Sequence, residues 1–323
     1  MIDAILPIPE VPEALKAAFH GRGIVPFIGA GLSQLQGCPD WNGFADKVLH
    51  ELIILGILNH AEHKQLASMP ARVKLSIARK LERTKKVSVR YENIFIPNKN
   101  EMIGQQINAS LDRISKTLVT TNYDKLLDTL PPAEYKNNPA ADTDTSSVLR
   151  RDPIYMPGDF TKENLKKAES KVFHIHGSVR APENMIVSTD EYLRRYSTSA
   201  SDSTGNREYL DFLKLLFNEK SVLFIGYGAN ELEILEYVFL KNLNKKSHVR
   251  EHYVLSGFFS HELRLAQHME DYFETLGIQL IPFSLDAKGW DQLDSVLSHM
   301  ADHISEEPEE QLAMRTEMAE LLS

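Results

Sequence analysis

Residues 25–44 read VPFIGAGLSQLQGCPDWNGF. An apolar run, Ile24 to Ile28, passes directly into Gly29-Ala30-Gly31 and Leu32-Ser33, and a helical pattern begins soon after. Glycines at a strand-to-helix turn let backbone N–H groups come close to a diphosphate, and the helix N-terminus adds partial positive charge. A purely structural tight turn is the alternative. The following Gly37, Pro39, Asp40 and Trp41 make the stretch more specific than two glycines alone. No Lys-Ser/Thr pair follows the glycines, so this is not a P-loop.

Working outward, similar short apolar runs recur at Leu118 to Thr121, Val172 to Ile175, Ser221 to Ile225, His252 to Leu255 and Ile278 to Phe283. Several are separated by stretches with helical spacing. Buried strands alternating with helices predict an α/β, Rossmann-like fold, a mostly parallel sheet flanked by helices. Residues 42–117 differ. They hold no convincing strand, and Phe44, Val48, Leu49, Leu52 and Leu55, then Val73, Ile77 and Leu81, recur at helical spacing. An all-helical insertion is expected there, either as scaffold or as a lid or oligomer surface. Residues 131–157 and 196–205 are rich in turn formers and read as loops. A helical tail is expected over residues 305–323, with Pro308 near its first turn.

Composition sets the outer limits. At about 150 residues per domain, 323 residues allow about two structural units. Hydrophobic residues at 42% and charged residues at 25% are ordinary globular values. Lys+Arg 36 against Asp+Glu 45 leaves −9, so direct nucleic-acid binding is not expected. One cysteine, Cys38, rules out an intrachain disulfide and any multi-cysteine zinc site. No apolar run approaches the ~20 residues of a membrane span, and the acidic, proline-containing start does not resemble a signal peptide. A cytoplasmic setting is the expectation.

Three further stretches carry chemistry. LVTTNYDKLLD, residues 118–128, places Thr121, Asn122 and Asp124 where a strand ends. Ligands of doubly wound sheets bind at such ends, although Asp124 could instead cap a helix starting at Lys125. VFHIHGSV, residues 172–179, puts His174 and His176 on one face, with His176 beside Gly177 at the strand end. A histidine there can serve as a general base. A His-x-His pair can also bind metal, but no carboxylate stands at a supporting spacing, so no metal is expected. SVLFIGYGANELEIL, residues 221–235, ends a strand in Gly226-Tyr227-Gly228, followed by Glu231. Glu231 could accept from ribose hydroxyls or merely favour the first turn of the next helix.

In this order the four motifs resemble the sirtuin (silent information regulator) family, over roughly residues 23–283. The resemblance implies a sirtuin-like NAD-binding domain across residues 1–323. By position, Gly29, Ala30, Gly31 and Ser33 would hold the NAD diphosphate. Asp40 and Trp41 would flank the nicotinamide and its ribose. Asn122 would position a water or ribose hydroxyl, Asp124 would hold the carboxamide, and His176 would be the general base. Gly226, Tyr227 and Gly228 would admit the adenosine half.

The departures are informative too. The two Cys-x-x-Cys pairs that bind structural zinc in deacylating sirtuins are absent, and the arginine expected after the PDF-like triplet is Asn42. GYGANELEI instead resembles the GYSxxDxxI of bacterial sirtuin-like effectors, with Glu231 in the aspartate position. That likeness implies an NAD hydrolase of antiphage defence, releasing nicotinamide and ADP-ribose. It would be gated by homo-oligomerisation or by a defence-system partner such as a HerA-type ATPase. An NAD- or ADP-ribose-binding assembly module and an NAD-dependent protein deacylase are the rival readings. A dehydrogenase is disfavoured, because Gly-x-Gly-x-x-Gly is missing after the first strand.

Overall fold

The computed structural model describes residues 2–129, 151–196, 206–227 and 252–308. Seven strands form one sheet: β1 (Ile24–Ile28), β2 (Thr117–Thr120), β3 (Asp152–Ile154), β4 (Lys171–His174), β5 (Ser221–Ile225), β6 (His252–Phe258) and β7 (Ile278–Ser284). Their order is β3-β4-β2-β1-β5-β6-β7, and every pairing is parallel. This is the Rossmann-like α/β arrangement that the run of buried strands implies. The six strands read from the sequence are all present. β3 is the exception, a three-residue edge strand within the stretch expected to be loop. It contains Pro153, which cannot donate to a ladder and is tolerated only at such an edge.

Alternation along β1 explains how both faces are covered. Val25 and Phe27 join one apolar cluster with Phe173, Phe212, Val222 and Phe224. Ile24 and Ile28 join another with Leu118, Leu223, Ile107 and Leu297. Helices α10 (Asn206–Glu219) and α11 (Leu263–Thr275) supply the first face. Helices α1 (Glu13–His20), α2 (Ala30–Leu35), α7 (Glu101–Ile114) and α12 (Gln292–His303) supply the second.

Between β1 and β2 run α3 (Trp41–Ile54), α4 (His60–Ala67), α5 (Ala71–Lys85), α6 (Tyr91–Ile94) and then α7. This helical segment has a core of its own. Phe44, Val48, Leu49, Leu52, Leu75 and Ala78 pack with Tyr123, Val179, Met185 and Val187. The last four lie on the loops that leave β2 and β4, so the segment seats directly on the site-bearing loops. Two short helices, α8 (Lys162–Lys166) and α9 (Thr189–Tyr196), flank β4 in sequence. Most of the expected C-terminal tail lies outside the described residues. No helix among the described residues is long and apolar enough to cross a membrane.

Register brings the strand ends level. Ile28 lies opposite Ile225 on one side and Thr120 on the other, and Thr120 lies opposite His174. The residues that follow, Gly29, Gly226, Asn122 and His176, therefore leave the sheet from one row. Chain order reverses at β1, with β2 on one side and β5 on the other. This is the switch point at which open parallel sheets hold ligands.

Candidate active site

At that row lies a cleft of about 820 Å³. Ala30, Gly31, Ser33, Asp40, Trp41, Asn122, Asp124, His176, Gly226 and Tyr227 line it. Gly29 is not among the lining residues, and its carbonyl accepts from Asn122. Gly228 and Glu231 lie outside the described residues.

The two glycine turns are pressed together. Gly31 N–H donates to Gly226 O at 2.9 Å, and Gly29 N–H donates to Ile225 O at 2.9 Å. A Cβ on Gly31 would meet Gly226 O at 2.8 Å, and one on Gly226 would meet Leu32 N at 2.9 Å. Gly226 also has φ +70°, a conformation costly for other residues. Two of the N–H groups that the sequence offers to a diphosphate are thus already donating within the protein. What the glycines supply here is close approach of two backbones.

Ser33 joins the first motif to the second. Asn122 Nδ2 donates to Gly29 O at 2.9 Å and to Ser33 Oγ at 2.8 Å, and Ser33 Oγ donates to Asp124 Oδ2 at 2.6 Å. A carbonyl can only accept, which fixes the amide nitrogen on that side. Both amide protons are therefore committed, leaving Oδ1 as the remaining polar atom of Asn122. Asp124 Oδ1 accepts from Leu126 N–H at 3.0 Å, an Asx turn. No helix begins at Lys125, so the helix-cap alternative for Asp124 does not hold. Burial raises the Asp124 pKa, against the pull of Ser33 and Leu126.

His176 sits among tyrosines. Its Nε2 lies 2.9 Å from Tyr196 Oη, which is 2.8 Å from Tyr209 Oη. The Tyr123 and Tyr192 rings flank it at 6.4 and 5.6 Å between centroids. Burial, with Arg195 adding repulsion, pushes the imidazolium pKa down to about 3. At neutral pH the ring is uncharged. His174 has different partners, so the His-x-His pair does not share one site. Among the described residues no group of three or more His, Cys, Asp and Glu is placed to hold a metal ion.

Asp40 caps α3, its Oδ1 accepting from Gly43 N–H at 2.7 Å. That cap aims Trp41 into the cleft, where its ring stacks near Tyr123 at 6.4 Å and 24°. Trp41 remains 42% exposed, an aromatic face open to a ligand. Cys38 also lines the cleft, but burial and the Asp124 charge push its thiol up to about 12. It is therefore a thiol, and a poor nucleophile, at neutral pH.

Sequence reasoning missed part of the lining. Arg72 and Lys99 enter from the helical segment, with Arg72 lying 5.3 Å from the Tyr192 ring centroid. Leu255, Ser256 and Phe283 enter from β6 and β7, and Trp290 and Asp291 from the turn before α12. A signal for the strand residues was available: the rule that singled out Asn122, ligands at carboxyl ends, applies equally to β6 and β7.

An all-parallel sheet with a lined cleft at its switch point defines a Rossmann-like class of protein. Within that class, a family model for the SIR2-like domain matches residues 116–281, about half of the chain. The chain belongs to that SIR2-like family, whose chemistry is NAD-related. The match begins after the Gly29–Trp41 stretch, which meets the matched region in space through the Ser33 contacts.

Proposed function

We propose that the chain is an NAD hydrolase that releases nicotinamide and ADP-ribose, with water as the acceptor. The observation that carries this is the convergence of Ser33, Asn122, Asp124 and His176 on one cleft. Its volume falls within the range of about 300–1,000 Å³ usual for ligand pockets.

The nicotinamide of NAD leaves from C1′ of a ribose as a neutral ring, so an oxocarbenium-like centre forms and the leaving group is already good. The protein's part is positioning. The Trp41 and Tyr123 rings offer a flat wall for the nicotinamide. Asn122 Oδ1 accepts a hydrogen bond from the attacking water or a ribose hydroxyl and so fixes its place beside C1′. His176, neutral at physiological pH, takes the proton. Negative charge on a substrate bound beside the ring would raise the basicity of His176 by favouring its charged form. The single cysteine supports the hydrolase reading over a zinc-bearing deacylase.

A freely active enzyme of this kind would drain its own cell, so the same reading includes gating by homo-oligomerisation or by a partner such as a HerA-type ATPase, in antiphage defence, acting on a basal rate that the isolated chain retains. Purified protein with NAD should release nicotinamide. Asn122→Ala or His176→Ala should lower release by about 10²-fold or more. Undiminished release in both variants would remove these two roles.

A further inference from the structure

The chemistry above uses His176 and leaves His174 unexplained. His174 closes β4 and is 1% exposed. Its Nδ1 lies 3.0 Å from the Asn122 carbonyl oxygen, and its Nε2 lies 2.8 Å from Asp128 Oδ1. The carbonyl can only accept, so Nδ1 carries a proton. Asp128 Oδ2 accepts from Arg180 at 2.7 Å, and the Asp128 carbonyl accepts from Arg151 N–H at 2.9 Å. Asp128 and Asp124 are the acids whose charge acts on His174. Behind Asp128, buried Arg151 faces Asp112 at 3.9 Å. Burial alone would favour a neutral ring, but Asp128, the Asn122 carbonyl and Asp124 together outweigh it and raise the His174 pKa.

Asn122 is therefore held at three places. Its amide is fixed by Gly29 and Ser33, its N–H by Thr120 Oγ1 at 3.0 Å, and its carbonyl by His174. The first two holds come from the turn after β1, from α2 and from β2. Only the third comes from β4, the strand that also delivers His176. The carbonyl of Asn122 belongs to the same peptide unit as the N–H of Tyr123. Rotating that unit re-aims Asn122, Tyr123 and Asp124 together.

We infer that His174 is a positioning residue: clamped by the Arg180–Asp128 pair, it locks the Asn122 peptide and so sets Asn122 Oδ1 relative to His176. The catalytic consequence rests on the NAD-hydrolase reading, whereas the clamp itself does not. Misplacement of a reacting group by ~1 Å can cost ~10²-fold in rate, so the clamp matters more to turnover than to binding.

The test compares His174→Gln and His174→Asn in the full chain. An asparagine amide can occupy the Nδ1 position and keep the bond to Asn122. A glutamine amide reaches the Nε2 position and keeps only Asp128. With NAD, His174→Gln should lose ~30-fold or more in kcat at a KM within about threefold, while His174→Asn stays within about fivefold of the parent. Equal activity in the two variants, or a loss confined to KM, overturns the proposal. Amide hydrogen exchange of residues 122–124 without ligand supplies the second readout. It should be faster in His174→Gln than in His174→Asn, and equal exchange also overturns the proposal. Should the parent release no nicotinamide, the hydrolase reading fails on its own, and the exchange comparison still decides the clamp. Arg180→Gln, at an exposed position, guards against misfolding of the core variants. It should lower kcat by ~2–5-fold at unchanged KM, no more than the loss of the whole Asp128 link in His174→Asn, and no change in kcat counts against the clamp.

Discussion

At the scale of single residues, Ser33 is the joint on which the cleft closes. It accepts from Asn122 and donates to Asp124, all three buried. Ser33→Ala leaves an amide proton and a carboxylate oxygen short of a partner, at a cost of about 1–3 kcal/mol. Urea unfolding should show a matching drop in midpoint; an unchanged midpoint would contradict the joint. His176 makes a prediction about pH. Unfolded, it takes a proton near the ordinary histidine value of 6.5; folded, it refuses until about 3. Between those values the unfolded state binds more protons, so stability falls as pH drops. His176→Gln should flatten that decline between pH 6 and 4, and an unaltered slope would mean the ring is not held neutral. The residue types here were legible because Gly-Ala-Gly-x-Ser and Thr-x-Asn-x-Asp are short local patterns. Which atoms remain for a ligand was not legible, since it depends on contacts such as Gly31 to Gly226 that join distant parts of the chain.

At the scale of elements, the helical segment is pinned to the His176 loop by charge. Arg79, 7% exposed, donates to Pro182 O at 2.5 Å and Met185 O at 3.2 Å. It also meets Glu82 at 3.3 Å and Glu191 at 3.2 Å. Glu191 in turn accepts from the Val187 and Ser188 N–H groups, both at 2.9 Å. Arg79→Leu removes the cation beside buried Glu82 and half-buried Glu191, the latter keeping Arg83 at 2.6 Å, and removing one partner of a buried pair costs about 3–5 kcal/mol. A large fall in thermal midpoint is expected, and a change within error would show that the pin is idle. This network is why the periodicity of α5 misleads. Val73, Ile77 and Leu81 mark one helical stripe, but Val73 is 41% exposed. The buried face instead carries Lys74, Arg79 and Glu82 alongside Leu75 and Ala78. Charged residues read as solvent-facing unless their partners are known, and here the partners come from α3, α6, α9 and the loop after β4. In α3 Phe44, Val48, Leu49 and Leu52 of the expected apolar stripe are buried, whereas Leu55, just past the helix end, is 39% exposed.

At the scale of the whole molecule, one sheet does the organising. Parallel pairing brings β5, β1, β2 and β4 to a common finishing row, and four motifs scattered over some 200 residues of sequence meet there. Strand identity was readable because fully buried strands are unbroken apolar runs. Strand order was not, because it is settled by which helices cover which face. The most direct measurement is incubation of the purified chain with NAD alone, with nicotinamide and ADP-ribose quantified together. The account predicts the two products in equal amounts with no acylated peptide present. Tight NAD binding with no cleavage, or cleavage that requires an acylated peptide, would contradict it.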